Sequence, residues 1–374
     1  MKIRYLTVFS LSLLLLVSAT CEEAKAELSN NDTQPLKTIY KDYFLIGNII
    51  NGRYMAGEYL DLLTKHYNTV TAENDMKPNS LAPRERGGQY RWDTADRMVR
   101  LMDDYNISIH GHTLVWHSQT HAWMTEGSPE QVRATMINHI NTVLGHFKGK
   151  IFSWDIVNEA VRERIGPGEN NQGWRNCLRT ESGWYKAMGA DYIELAFRTA
   201  RAADPDVLLY YNDYNLDNQR KSSVVMDMVK EINDKYRAEG NNRNLIDGIG
   251  MQAHYGFTTS IVNVRATIEK FISIGVIVDI SELDVETKST ASQFGTRKDS
   301  PILDTDALAQ ARVYSQLFSL FMEYSEHISR VTMWGMDDEN SWKSIGNPCL
   351  FNADLEPKLA FYAVADPNRA LSLK

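Results

Sequence analysis

Two glutamates stand where a chain's chemistry is easiest to place. In Trp154-Asp155-Ile156-Val157-Asn158-Glu159 the acid directly follows a β-branched run and an amide, and in Val278-Asp279-Ile280-Ser281-Glu282-Leu283-Asp284 a second acid closes an apolar run. Two carboxylates of different pKa facing one another can break a glycosidic bond. One protonates the leaving oxygen, which otherwise departs poorly, and the other meets the oxocarbenium-like centre from the far side of the sugar. Most glutamates are solvated surface groups; placement at the end of an apolar run sets Glu159 and Glu282 apart.

Other polar groups close the remaining apolar runs. Glu73, Asn74 and Lys77 follow residues 69–72; His112, Trp116, His117 and Gln119 lie around the end of 107–115; Asn158 precedes Glu159. Asn212 and Tyr214 end 207–212, Gln252 and His254 end 248–252, and Trp334 ends 330–334 with Trp342 soon after. Asn74, Lys77, His112, Gln252 and His254 can hydrogen-bond sugar hydroxyls from several directions, while Trp116, Trp334 and Trp342 offer flat faces to sugar C–H groups. Taken singly, each Trp or His is more often a core residue than a ligand contact. Their convergence on strand ends carries the argument.

A metal-dependent hydrolase is the rival chemistry. His110-Gly111-His112 is an H-x-H on a strand, His254 ends a later strand and Asp337 follows the last. The H-x-H falls on the third strand, where metal-dependent barrel hydrolases use the first, and the fifth ends in Tyr211-Asn212-Asp213 without a bridging His or Lys. No metal and no cofactor are therefore expected. A sugar-binding module without activity would need the aromatic faces but not two opposed acids.

The elements that must position these groups alternate. Apolar, β-rich runs at 44–49, 69–72, 107–115, 151–157, 207–212, 248–252, 276–281 and 330–334 predict eight strands. Between them, 95–104, 131–147, 190–202, 222–237, 262–274 and 307–327 return apolar residues every three or four positions, the helical spacing. Parallel strands need helical crossovers and cover on both faces, so the expected fold is α/β, a single closed (β/α)8 TIM barrel whose chemistry sits at the carboxyl ends of the strands. Strands four and seven then lie across the barrel mouth from one another. A doubly wound open sheet is disfavoured because Gly47-Asn48-Ile49-Ile50-Asn51-Gly52 is no phosphate-binding glycine turn.

Composition agrees with a compact body. The chain has 374 residues, 43% hydrophobic and 24% charged, which excludes a disordered or fibrous protein. Forty Lys and Arg against 48 Asp and Glu leave a net charge of −8, so no basic field exists to hold nucleic acid. Lys2 and Arg4, an apolar run over 8–17, and Ser18, Ala19 and Thr20 have the layout of a secretory signal, with an apolar run too short to span a bilayer. Cys21 followed by Glu22 and Glu23 resembles a bacterial lipoprotein cleavage site, and a lipid anchor at Cys21 and plain cleavage near Ala26 both stay open. The expected order is a signal over 1–21, a flexible tether over 22–37 and a catalytic domain over 38–374, in an exported monomer with no transmembrane segment. Cys177 and Cys349 are either free structural thiols or one bridge.

With these residues in view, the sequence resembles glycoside hydrolase family 10, the retaining endo-β-1,4-xylanases, from about residue 38 to 366. The resemblance is carried by Glu73-Asn74-Asp75-Met76-Lys77-Pro78, Gly111-His112-Thr113-Leu114-Val115-Trp116-His117-Ser118-Gln119, the run ending at Glu159, Asn212-Asp213-Tyr214-Asn215, Gln252-Ala253-His254-Tyr255 and Ser281-Glu282-Leu283-Asp284. It implies that Glu159 is the general acid/base and Glu282 the nucleophile, acting on xylan and xylo-oligosaccharides. It further implies that Glu73, Asn74 and Lys77 hold the non-reducing side. His112, Asn158, Gln252 and His254 would surround the cleaved sugar, with Trp116, Trp334 and Trp342 as walls. Gln252 and His254 would orient the nucleophile and the 2-hydroxyl, and Tyr214 would face the leaving group. Ser281 stands where the family often has Thr and keeps the hydroxyl. Retention requires carboxyl groups roughly 5–5.5 Å apart.

Overall fold

The computed structural model describes residues 26–28, 33–287 and 304–372. The expected signal over 1–21, Cys21, most of the expected tether and the centre of the polar loop after Glu286 lie outside the described residues.

Among the described residues ten strands form the sheet: β1 Leu45–Ile50, β2 Thr69–Ala72, β3 Ser108–Gly111, β4 Val115–Trp116, β5 Ser153–Asn158, β6 Leu208–Asp213, β7 Gly248–Met251, β8 His254–Gly256, β9 Ile277–Glu286 and β10 Ile328–Met333. All pair in parallel in the order β10-β1-β2-β3-β5-β6-β7-β9, and β9 pairs back onto β10 through Arg330↔Asp279 and Val331↔Ile280, which closes an eight-stranded barrel. The short strands β4 and β8 extend the wall above the barrel, pairing with β5 and β9. Every residue of β2, β5 and β7 is buried, as expected of strands covered on both faces.

Among the described residues the eight α-helices of seven residues or more surround the barrel: α1 Gly57–His66, α2 Asp93–Asp104, α3 Pro129–Phe147, α4 Asp191–Ala203, α5 Gln219–Ala238, α6 Ile261–Ile272, α7 Asp304–Glu323 and α8 Leu359–Ala365. The fold is a (β/α)8 barrel. Several helices begin one to three residues before the apolar spacing does, because caps set the start rather than the buried face. Ser128 and Gln131 make a reciprocal capping box around Pro129, and Asn218 accepts from the Arg220 and Lys221 amides. Helices α1 and α8 carry little apolar periodicity: α1 buries only Leu63 and His66.

Two runs depart from their predicted extents by more than two residues. The run 107–115 splits into β3 and β4 around a cis His112-Thr113 peptide. The seventh run does not stop at Ser281; β9 continues to Glu286, because β8 pairs with its upper half at His254↔Asp284. Glu282 thus stands within a strand rather than after one. Leu28, in the stretch read as tether, is buried against Ala311, Leu359 and Ala363.

The barrel interior is filled and partly ionic. Arg330 and Asp279 are fully buried and meet at 2.6 Å, with Arg330 also donating to Thr71 and Thr332. A Cβ at Gly111 would lie 2.2 Å from the Trp154 ring, so glycine there makes room for the indole. Both Cys177 and Cys349 are free and buried. Among the described residues no helix is long and apolar enough to cross a membrane.

Candidate active site

The upper strand ends gather the polar side chains over one mouth. Glu159 follows β5 with φ at +57°, and its amide donates to the Asn212 carbonyl at 2.9 Å, so the backbone turns out of the sheet at the acid. Its Oε2 accepts from the Trp116 indole at 3.0 Å and its Oε1 from Gln252 Nε2 at 2.9 Å. Arg179, from the loop after β5, donates to the Glu159 carbonyl at 3.0 Å and also contacts the Tyr214 hydroxyl.

Glu282 is almost wholly buried in β9. Asn212 Nδ2 donates to its Oε1 at 2.8 Å, and His254 Nε2 lies 3.4 Å from its Oε2. The other face of His254 is fixed by Asp284, whose Oδ2 lies 2.9 Å from Nδ1 and also accepts from the Trp342 indole at 3.0 Å. The two carboxylates are joined through amides: Asn158 Oδ1 accepts from Asn212 at 3.1 Å and from Gln252 at 3.3 Å, the amides that hold Glu282 and Glu159. Ser281 Oγ donates to Asn212 Oδ1 at 2.7 Å, which fixes which end of that amide faces Glu282.

The electrostatics separate the groups. Burial alone would raise Glu282, but the His254 contact, the nearby His112 and His254 charges and the Asn212 amide outweigh it and hold the carboxyl below its ordinary range. Burial likewise opposes charge on His254, yet Asp284 and then Glu282 push it up to about 9, so it is an imidazolium at neutral pH. Burial lowers Lys77 against the pull of Glu282, Glu73 and Glu159. Burial, helped by Arg179, brings His117 down to about 4, so this neighbour of Glu159 is neutral.

The residues of the metal reading are spread among separate partners. His110 and His112 both turn a nitrogen to Asp155, at 3.1 and 2.8 Å, and His110 Nδ1 meets Ser153 Oγ at 2.7 Å. Asp337 accepts from the Asn340 side chain. Among the described residues no group of three or more His, Cys, Asp or Glu is arranged to hold a metal ion.

A family profile described as "Glycosyl hydrolase family 10" matches residues 35–367. The chain belongs to glycosyl hydrolase family 10. It is 38% identical over 366 residues to endo-1,4-beta-xylanase A of Thermotoga maritima, covering 94% of this chain and 32% of that protein. The chain thus spans about a third of the length of that relative. It is 34% identical to endo-1,4-beta-xylanase B of Paenibacillus barcinonensis, covering 88% of this chain and 97% of that one. The crystal structure of a bacterial Ig-like domain-containing GH10 xylanase from termite gut superposes with a TM-score of 0.84 at 37% identity, over 91% of this chain and 78% of that one.

In this family 10 chain the sequence-predicted residues divide by distance from the two acids. Trp116, Asn158, Gln252 and His254 touch one of them directly. Of the pair expected to orient the nucleophile and the 2-hydroxyl, His254 is on Glu282 and the Gln252 amide is on Glu159. Glu73 accepts from Asn51 at 2.7 Å, Asn74 accepts from Lys77 at 2.9 Å, and the Lys77 ammonium lies 5.1 Å from the Trp116 ring centre, forming a separate polar edge. Tyr214 packs under the Lys221 ammonium, 3.8 Å from its ring. His112 stands edge-on to Trp334, which is only 7% exposed, whereas Trp342 is 60% exposed. Gln119 enters through its backbone: at φ +43° its carbonyl accepts from the Asn79 amide.

Four contributors had no role assigned from sequence: Asn212, Asp284, Asp155 and Arg179. Asp155 and Asp284 sit in the same motifs as the acids and Asn212 lies at the end of a strand of its own, and the legible signal was a polar residue in an otherwise apolar strand. Arg179 lies in a loop whose path sequence does not disclose.

Proposed function

We propose that this chain is an exported, endo-acting β-1,4-xylanase that cuts xylan and xylo-oligosaccharides internally with retention of anomeric configuration. The carrying observation is the amide bridge Gln252–Asn158–Asn212, which ties Glu159 and Glu282 into one unit while the His254 ring stands on Glu282 alone. The names of the relatives above support the substrate class.

In the first displacement Glu159 gives its proton to the leaving oxygen as a Glu282 oxygen bonds to the anomeric carbon and the glycosidic bond breaks. Asn212 and His254 keep the attacking carboxylate ionised and aimed; Trp116 and Gln252 hold the acid. Bonding to the sugar removes the Glu282 charge, and Glu159, now a carboxylate, takes a proton from water as that water displaces Glu282. Glu73, Asn74 and Lys77 bind the non-reducing side, with Trp116, Trp334 and Trp342 around the cleaved sugar.

Proton NMR of the first products from xylohexaose tests the reading, with the β-anomer expected first. A 2-deoxy-2-fluoro xylobioside should label the Glu282 peptide. First release of the α-anomer, or a label on another residue, overturns it.

The leader layout supports export and a single copy is proposed as the working unit. The mass of the mature N-terminal peptide separates diacylglyceryl-Cys21 from cleavage near Ala26, and a mature chain still starting at Met1 rejects both. Light scattering reports the copy number.

A further inference from the structure

Glu159 is held in a backbone conformation that a residue with a Cβ rarely adopts. Its φ of +57° lies in the left-handed region, and such a turn persists only where the surroundings over-determine it. The carboxylate oxygens meet Trp116 and Gln252; a different set of groups holds the backbone behind them. Residues 159–162 run against 177–179 through an antiparallel bridge at Val161↔Leu178. There the Arg179 amide donates to the Ala160 carbonyl at 2.9 Å, and the Arg162 amide to the Cys177 carbonyl at 2.9 Å. From this bridge the Arg179 side chain folds back, so that its Nε donates to the Glu159 carbonyl at 3.0 Å. Two residues beyond the acid, the Val161 amide donates to the Tyr211 hydroxyl at 3.1 Å.

Both side chains lead to one buried ion pair. Tyr211 donates to Asp213 Oδ2 at 2.6 Å, while Asp213 Oδ1 accepts from the Lys221 ammonium at 2.7 Å and from the Tyr214 amide at 2.9 Å. The same ammonium lies against the Tyr214 ring, and Arg179 spans the Tyr214 hydroxyl and the Glu159 carbonyl with its rigid fork. Lys221 and Asp213 have no exposed side-chain surface. Taking two charges out of water costs more than their attraction reliably returns, so stability alone is a poor reason for this pair. What it fixes is Tyr211 and Tyr214, and through them the groups on the acid's turn. A general acid must lie within hydrogen-bond reach of the oxygen it protonates, and a misplacement of about 1 Å can cost 10²-fold in rate.

We propose that Arg179 and Tyr211 are positioning residues for the general acid: they lock the Glu159 turn so that its carboxyl is delivered to the leaving oxygen. The proposal rests on the xylanase reading above, in which Glu159 is the acid, and adds what keeps that acid in place.

The test compares the native enzyme, Arg179→Met and Tyr211→Phe on two substrates that differ only in the aryl group. Phenyl β-xylobioside releases a phenoxide that leaves poorly without a proton, whereas the leaving group of 2,4-dinitrophenyl β-xylobioside needs none. The quantity read is kcat/KM, which measures transition-state stabilisation relative to free enzyme and substrate. Arg179→Met should lose about 10–10²-fold on the phenyl substrate, part of what a general acid supplies, and keep the native rate on the dinitrophenyl one. Tyr211→Phe should lose in the same selective sense by about three- to tenfold, the size of one hydrogen bond. It keeps the ring and changes no charge, so it separates positioning from the loss of the Arg179 charge and carries the test if Arg179→Met does not fold. A native ratio of the two rates in either folded variant, or a ratio shifted the other way, overturns the proposal and leaves the xylanase reading intact; groups that merely pack the site would slow both substrates alike. A native enzyme that cleaves neither substrate overturns the xylanase reading and the proposal with it.

Discussion

The Nδ2 of Asn212 lies 2.8 Å from Oε1 of Glu282. The same amide is oriented by Ser281 and reaches Asn158, next in sequence to Glu159. One side chain on β6 therefore holds the Glu282 carboxylate and links it to the residue beside Glu159. Asn212→Ala should reduce kcat on xylan by about 10²-fold, the order seen when one preorganised donor to a charged centre is removed. Its acidic pH limb should shift upward, because the Glu282 carboxyl loses a hydrogen bond that favours its charged form. Ser281→Thr, which keeps the hydroxyl, should change neither. Steady-state rates against pH decide it, and a native acidic limb in the Asn212 variant would remove this role.

Glu159→Ala should separate proton donation from attack. Cleavage of xylan should fall about 10²–10⁴-fold, while xylosides with good leaving groups, which need no proton, should keep their first step. Added azide should then yield the β-glycosyl azide. Loss of both classes of substrate to the same extent would count against Glu159 as the acid.

Stability should fall on both sides of neutrality for different histidines. His254 is held up at about 9, so its contribution is complete below its unfolded value near 6.5 and is lost as pH rises through 9. Burial holds His66 and His139 down at about 4, and burial with Arg179 does the same for His117, so their contribution is lost as pH falls from about 6.5 toward 4. Each proton adds a slope of at most about 1.4 kcal/mol per pH unit. Urea midpoints from pH 4 to 9.5 report both slopes, and His254→Asn should flatten only the alkaline one.

The buried pair inside the barrel gives a prediction independent of activity. Arg330→Met alone leaves Asp279 charged and unpaired at full burial and should cost about 3–5 kcal/mol, whereas Arg330→Met with Asp279→Leu should recover much of that loss. Denaturant unfolding of the two variants checks the order; equal losses would mean that the pair itself, rather than the stranded charge, sets the cost.

Gly111→Ala should destabilise by about 1–3 kcal/mol, the usual range for overpacking, since its Cβ meets the Trp154 ring at 2.2 Å. Trp154 is fully buried. A thermal midpoint at the native value would show that the indole can move aside.

The order of eight apolar runs and the two acids could be read from residue types alone. Strands buried on both faces read as continuous apolar stretches, and a charged residue at the end of one stands out against them. Glu159 after β5 and the crowd of Asn, Gln, His and Trp at the other ends were legible for that reason. Which remote groups meet was settled by the folded chain. Asn158 bonds to Asn212, 54 residues on, and to Gln252, 94 residues on; residue spacing reports which face of a strand is buried and carries no information about which distant amide will face it. The same holds for Gln252 on Glu159 rather than Glu282, for Asp155 shared by His110 and His112, and for Arg179 arriving from a loop. Glu282 standing inside β9 was equally hidden, because the strand's upper half exists only through its pairing with β8, and that pairing is a property of the closed barrel.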